Sequence, residues 1–482
     1  MNSPSARGAR PPRIVVVGGG FSGAMSAVNI ARLSDSPVHI TVVSDRQPVG
    51  RGVAYGLRRP EYLLNVAARN MSAFPHEPDH FLQWLRTRSE FEAVPEIELR
   101  ESFIPRQIYG DYVRSIVQHH LQSPGEMAPA SAEFVIGRAV DVEPRANGCR
   151  VRLADGSAVD ADRVVLATGN ETPAALPGAD TLDGHPAWVG NPWQAWEQRL
   201  PRHDGSVVIL GTGLTAVDAI LTLRALGWLG RIHAVSRHGW LPHAHFRGIE
   251  YPEFPPPGVD LTTLGLDRLL VLMEEHCVAL HRQNANPAII VDKLRPHTQH
   301  VWGSFSRQER LTFAREHAAR WSVFRHRIAP DIHSQITSSQ LTGQLQIHAG
   351  TIMNLSATED RIGVELDGDR SLEGDLVLNA TGPSNRLTAS RSVLLQNLLR
   401  RGAIAPDSTD MGLQVDPDHT VRTTTGERSP WLLALGPILR GTYWETIAVP
   451  ELRLQARRVA ETLLGSAHEN EPEGQLQLEY MI

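Results

Sequence analysis

Two glycine-rich stretches, Gly18-Gly-Gly20-Phe-Ser-Gly23 and Gly211-Thr-Gly213-Leu-Thr-Ala216, each close an apolar run and open a run of small residues. Glycine at these spacings suits a chain that turns sharply at a strand end and brings its backbone close to a pyrophosphate. The phosphate charge then meets the N–H groups and the positive dipole end of the helix that follows. Two such turns in one chain point to two bound dinucleotides, and the chemistry that joins two dinucleotides is electron transfer. The second turn departs from the pattern in carrying Ala216 where a third glycine often stands.

Other residues could complete such sites. An acidic residue at the end of the second strand of a nucleotide fold grips a ribose, and Asp45, or Ser44 beside it, holds that place. The second fold ends its equivalent strand in Ser236-Arg237-His238. An arginine there suits the extra phosphate of NADP and favours NADPH over NADH; a solvated loop arginine is the plain alternative. Farther on, Arg295, His297, His300, Trp302, Trp321, Arg325, His326 and Arg327 bring guanidiniums and indoles together. That combination pairs bidentately with carboxylates and stacks on planar rings. The same residues also read as a helix–helix seam, with tryptophan as core and arginine on its rim. A small-residue turn at Leu435-Gly436-Pro437, followed by a helix start near Pro450, suits the pyrimidine end of a flavin, whose reduced form carries negative charge. Otherwise Gly436-Pro437 is an ordinary turn. The two cysteines, Cys149 and Cys277, form no Cys-x-x-Cys pair, and the 21 histidines show no zinc-like spacing.

The elements that must position these residues follow from the apolar patterning. Ile14–Val17, Ala24–Leu33 and Val38–Val43 read as strand, helix and strand, half of a doubly wound unit. Amphipathic helices are expected around Pro78–Arg86 and Gln107–Leu121, and a small antiparallel sheet around Phe134–Val142 and Cys149–Leu153. Asp162-Arg-Val-Val-Leu-Ala-Thr168-Gly169 reads as a buried strand ending in glycine, and Asp375-Leu-Val-Leu-Asn-Ala-Thr381-Gly382 repeats it. These paired crossings are where a chain passes between two nucleotide units, with Gly169 and Gly382 beside the cofactors. In the nested segment, Ser206–Leu210, Ala216–Leu226 and Arg231–Val235 form the second unit, and Leu261–Arg320 is mostly helical.

The expected fold class is α/β: a doubly wound FAD-binding domain with a nested NAD(P)-binding domain and a helical insert. The divisions fall at 1–169, 170–348, 349–464 and a polar tail, 465–482. A chain of 482 residues carries two or three such cores. A net charge of -6 argues against nucleic acid as a partner. No apolar run approaches the roughly 18–20 residues of a membrane span, and the start lacks a secretory core, so a cytoplasmic location is expected.

Further motifs give a family resemblance. They are Gly50-Arg51-Gly52-Val-Ala-Tyr55, Leu63-Leu-Asn65-Val66, Arg69-Asn-Met71-Ser, Asn191-Pro-Trp193, His326-Arg-Ile-Ala-Pro330 and Glu445-Thr-Ile-Ala-Val-Pro-Glu-Leu-Arg453. Across about Ile14 to Ala456 the chain resembles the FAD/NAD(P)-binding monooxygenase-like proteins that include bacterial FAD-dependent urate hydroxylase and the nitrosuccinate-forming aspartate N-monooxygenase. The resemblance implies the two-dinucleotide-binding flavoprotein fold, with FAD at the first glycine turn and NAD(P)H at the second. Gly18, Gly20 and Gly23 would hold the FAD pyrophosphate, with Arg51, Asn65 and Met71 along the flavin. It also implies a small-molecule substrate and O2: the flavin is reduced, dioxygen binds, and one oxygen is transferred.

Asn65, Arg325 and Arg327 are the expected catalytic residues, the two arginines gripping a small nitrogen-rich anion. Urate, converted to 5-hydroxyisourate, is the leading candidate because its planar ring would stack on tryptophan and arginine. N-hydroxylation of an amino acid such as aspartate is the alternative, and a flavin oxidoreductase that makes no oxygenated product is a third reading. Gly184-His185-Pro-Ala-Trp188 lacks the spacing of a Baeyer–Villiger signature.

Overall fold

In the computed structural model, which describes residues 10–465 except 124, 126, 127 and 248, strand β1 (Arg13–Val17) is apolar on both faces. Ile14 and Val16 point into a core shared with helices, while Val15 and Val17 point into a second core on the opposite side. A strand so covered belongs in a parallel sheet with layers above and below. The chain continues through α1 (Phe21–Leu33), β2 (Val38–Ser44), α2 (Gly52–Gly56), α3 (His80–Arg86), α4 (Glu96–Glu101), α5 (Arg106–Val117) and β3 (Ala130–Ile136). Next come β4 (Ala139–Arg145), β5 (Gly148–Leu153), β6 (Ala158–Ala161) and β7 (Arg163–Leu166).

The nested unit holds β8 (Trp188–Val189), β9 (Ser206–Leu210), α6 (Leu214–Ala225) and β10 (Arg231–Ser236). Its helical insert follows as α7 (Gly265–Arg282), α8 (Ile289–Leu294), α9 (Thr298–Ser304), α10 (Arg307–Thr312) and α11 (Ala318–Arg325). Then come α12 (Pro330–Leu341), β11 (Leu345–Ala349), β12 (Ile352–Ala357), β13 (Ile362–Leu366), β14 (Arg370–Gly374) and β15 (Leu376–Asn379). The chain returns to the first unit as α13 (Val393–Arg400), β16 (Thr420–Arg422), β17 (Arg428–Ala434) and α14 (Val449–Leu464).

The first unit is a six-stranded sheet ordered β16-β17-β7-β1-β2-β3, and the second a five-stranded sheet ordered β11-β10-β9-β15-β8. The two are built to one plan, down to single bonds. Asp162, ahead of β7, accepts the Arg13 N–H at 2.8 Å, and Asp375, ahead of β15, accepts the Ser206 N–H at 2.7 Å. Each aspartate thus ties the strand that ends in Ala-Thr-Gly to the start of the strand that ends in the glycine turn. Each central crossing is also covered by a three-stranded antiparallel sheet, β4-β5-β6 in one unit and β12-β13-β14 in the other.

Three expectations need adjustment. Phe134 lies in β3, which pairs in parallel with β2, so the small antiparallel sheet begins only at Ala139. A division at residue 348 would cut the second unit short, because β15 pairs with β9 and β8 and completes its sheet at Asn379. The amphipathic helix expected to run to Leu121 ends as α5 at Val117 and continues as a wider-wound turn over Gln118–Gln122. The polar tail beyond residue 465 lies outside the described residues. Among the described residues, no helix is long and apolar enough to cross a membrane.

The units are locked together by buried polar contacts. Arg106, at the start of α5, donates to both carboxylate oxygens of Asp218 on α6 at 2.7 and 3.1 Å, and through Nε to the Leu63 carbonyl at 2.9 Å. Tyr62 and Thr222 share a hydrogen bond of 2.6 Å alongside. The connecting segments are also joined to each other, by an antiparallel bridge between Pro173 and Pro383 and a Ser384 N–H to Thr172 O bond of 3.0 Å. Breaking a buried pair strands a charge in a dry environment, so Asp218→Asn should cost about 3–5 kcal/mol of stability in urea unfolding. The double variant Arg106→Met/Asp218→Leu should recover most of that loss.

Candidate active site: a cleft between the two units

Both glycine turns are shaped by the neighbouring crossing strand. Gly18 has φ +116°, and a Cβ there would sit 2.1 Å from the Ala167 carbonyl oxygen; Gly211 has φ +115° and would meet Ala380 O at 2.4 Å. No side chain fits at either position. The turns close in the same way, Gly18 N–H donating to Val43 O at 2.9 Å and Gly211 N–H to Val235 O at 2.6 Å. At the helix start they diverge. Gly23 presses on the Gly18 carbonyl, with only 1.9 Å for a Cβ, whereas the matching Ala216 is fully buried in the second unit's core. Neither α1 nor α6 carries an acidic residue in its first turn, which leaves both N-termini fit to receive an anion.

The turns also differ in access. Gly213 has nothing within 4 Å of a Cβ position, so the second cradle is open. The loop from Val49 to Gly56 lies against the first turn: Gly50 N–H donates to Gly19 O at 2.8 Å, and Gly52 Cα approaches the Cβ position of Gly20 at 3.7 Å. Gly18, Gly20 and Gly23 therefore do not line the main cleft.

That cleft, of about 890 Å³, brings Asn65, Met71 and Gly169 to one side and Gly211, Gly213, Arg237 and Gly382 to the other, with Arg325 between. His245 Nε2 donates to the Asn65 carbonyl at 2.9 Å and so ties the second unit to that rim. Arg237 is exposed at the end of β10, beside an offset stack of His238 on Trp240 with centroids 4.3 Å apart. Glycines Gly169 (φ +73°) and Gly382 (φ +88°) leave open space where the two crossings face each other.

Asp45, Arg51, Gly436 and Arg327 do not line this cleft either. Asp45 is exposed and pairs with Arg138 at 3.2 Å, away from the cleft, while Ser44 Oγ turns back to donate to the Arg46 carbonyl at 2.9 Å. Arg51 pairs with Asp111 and packs between α2 and α5. Gly436 sits behind the cleft wall, its N–H donating to Gln455 Oε1 at 2.9 Å, while Pro437 and Ile438 face the opening. Arg327 is 2% exposed, donates to both oxygens of Asp292 at 2.6 and 2.8 Å, and lies over Phe246 at 4.5 Å. These contacts place it in the seam inside the insert.

Arg325 stands differently. It is 7% exposed, at 3.4 Å from Glu445 and 3.7 Å from Glu451, and its Nε and Nη2 make no hydrogen bond. Glu445 accepts from Trp321 Nε1 at 2.8 Å through one oxygen, while the other has no hydrogen-bond partner. Burial works against its charge, but Arg325 and His326 beside it hold the Glu445 carboxyl below its usual range. Arg440 donates to Asn385 at 2.9 Å and lies over Trp444 at 4.7 Å. Glu451 is held by Arg295 at 2.8 Å. Sequence reasoning missed Glu445, Arg440, Arg106 and Asp218. Arg440 and Glu445 lie within the segment singled out for the flavin, but their partners lie on distant elements.

His245 and His326 are both on or beside this cleft, and burial pushes each down to about 4 from the usual 6.5. The folded protein keeps them neutral while the unfolded chain takes up their protons, so stability is full above about pH 6.5 and falls as pH drops toward 4. Thermal unfolding followed over that range should show the decline, and His326→Gln should flatten it.

Residues 15–171 match the family described as FAD-NAD(P)-binding. No curated protein matches the chain by sequence. Among solved structures, it is similar to the ornithine N-hydroxylase of Kutzneria sp. 744 in a complex with reduced FAD, NADP+ and L-ornithine. That match has a TM-score of 0.63 at 14% identity and covers 94% of this chain and 99% of that one. It is similar to L-lysine 6-monooxygenase from Pseudomonas syringae (TM-score 0.60, 19% identity, 93% and 98% covered). It is also similar to the bacillithiol disulfide reductase of Staphylococcus aureus (TM-score 0.54, 14% identity, 95% and 99% covered). At such identities the likeness is one of fold. Residues 15–171 thus match the FAD-NAD(P)-binding family, and the whole chain carries the two-dinucleotide-binding flavoprotein fold.

Proposed function

We propose that this chain is an FAD-dependent, NAD(P)H-using monooxygenase that N-hydroxylates an amine on a small carboxylate-bearing molecule, with an amino acid as the substrate class. The observation that carries the reading is the buried Arg325–Glu445 pair on the wall of a cleft between two nucleotide units, each partner with polar atoms left unbonded. Arg295, Arg325 and Arg440 here meet only the two carboxylates of Glu445 and Glu451. The local excess of positive charge favours an entering carboxylate. It also disfavours a protonated amine, and only the neutral amine has the lone pair that an electrophilic oxygen requires.

The residues fit the cofactors. Gly213 and the N-terminus of α6 would take the NAD(P) pyrophosphate, Arg237 the additional phosphate, and Asn65, Met71 and Gly169 the flavin side of the cleft. When bound, NAD(P)H and FAD supply the reducing equivalents and the activation of dioxygen. The chain's own task is to hold the substrate carboxylate on Arg325, keep the amine next to Glu445 and the neutral His326, and exclude water from the cleft. The ornithine and lysine enzymes of this fold favour N-hydroxylation over the urate reading. The bacillithiol disulfide reductase keeps a non-oxygenating reading in view. Against dithiol chemistry, Cys149 lies in β5 with burial pushing its thiol up to about 12, and Cys277 lies on α7 in a separate core.

The deciding measurement is NAD(P)H and O2 consumption by flavin-loaded protein offered amino acids, diamines and urate, with hydroxylamine product detected. One amine should accelerate both and yield product; peroxide in equal amount to NAD(P)H with every compound overturns the proposal. Arg325→Ala should raise the KM for that amine on the order of tenfold, without loss of bound flavin. Arg237→Ala should raise the KM for NADPH far more than for NADH, and equal effects would remove its phosphate role.

A further inference from the structure

The helical insert lines a second cavity, of about 110 Å³, that shares few residues with the main cleft. Leu269, Met273 and Val291 are among its apolar walls; the indole N–H groups of Trp302 and Trp321 are spent on Gly441 O and Glu445, while Trp444 Nε1 makes no hydrogen bond. The Glu274–Arg320 pair, at 3.4 Å and more than half exposed, marks its outer mouth. Its inner end is formed by Trp321 and Trp444, and both of these rings also line the main cleft. These two indoles therefore form part of the wall that separates the cavity from the cleft.

A space so lined is hostile to ions and to isolated water, and it suits a small apolar guest. Of the reactants in an oxygenation, the amine, its carboxylate and NAD(P)H are all charged or strongly polar. Dioxygen alone is small and apolar. We infer that the insert cavity is a dioxygen-binding antechamber, from which the gas enters the cleft past Trp321 and Trp444. The inference rests on the monooxygenase reading and adds a site to it. Trp321 donates to Glu445, and Trp444 packs at a tilt against Trp302, with centroids 4.8 Å and planes 32° apart. The amine and its ions are thereby kept on the cleft side.

Xenon, an apolar probe of similar size, should occupy the cavity between Leu269 and Val291 in pressurised crystals of the flavin-loaded protein. An empty cavity under xenon overturns the inference. In solution, Val291→Phe and Cys277→Phe, which fill the space without touching the cleft, should each raise the KM for O2 on the order of threefold or more. Anaerobic flavin reduction by NAD(P)H and the KM for the amine should stay as in the parent. A folded variant with an unchanged KM for O2, or one in which all three parameters move together, overturns it too. If the parent protein shows no amine-stimulated O2 uptake, the monooxygenase reading falls and the antechamber with it; normal parental uptake with indifferent variants removes the antechamber alone.

Discussion

A cleft between two separately closed sheets has a defined shape only if something fixes the angle between them, and here that contact is a dry ion pair. Arg106 leaves the first unit at the head of α5 and grips both oxygens of Asp218 on the first nucleotide helix of the second. Both residues also line the cleft, so the latch is part of the wall it holds in place. Burial raises the Asp218 carboxyl against the pull of Arg106, and the bidentate geometry keeps the pair together. A weaker contact would let Arg325, Asn65 and Arg237 drift apart, since they come from the insert, the first unit and the second unit in turn.

The same logic governs the charges deeper in the cleft. Arg325 comes from the end of α11, Glu445 from the turn before α14, and Arg295 from the short turn after α8. Three guanidiniums, of Arg295, Arg325 and Arg440, gather there around the two carboxylates of Glu445 and Glu451.

What could be read from the chain alone divides by the range of the interaction. The glycine turns, the Ala-Thr-Gly strands and the nested order were legible because each is set by neighbours a few residues away. Gly18 and Gly211 could be paired with Ala167 and Ala380 because both halves of the contact are written as motifs. The contact of Arg327 with Asp292 was not legible, because Asp292 arrives from another helix and leaves no local mark. Asp45 stands at the strand end as expected, and its exposed pairing with Arg138 likewise left no local mark. Cys149 and Cys277, far apart in the chain, pack against separate cores.

The joined connectors between the units carry a mechanical consequence. The outgoing strand at Thr172–Pro173 and the returning one at Pro383–Ser384 run side by side in opposite directions and are bonded to each other. A single tether would let the nested unit swivel freely, but two parallel pins act as a door hinge: they bend about one axis and resist torsion. Two tethers bonded to each other thus resist twisting and reinforce the spacing between Arg237 and Asn65 that the Arg106–Asp218 pair sets.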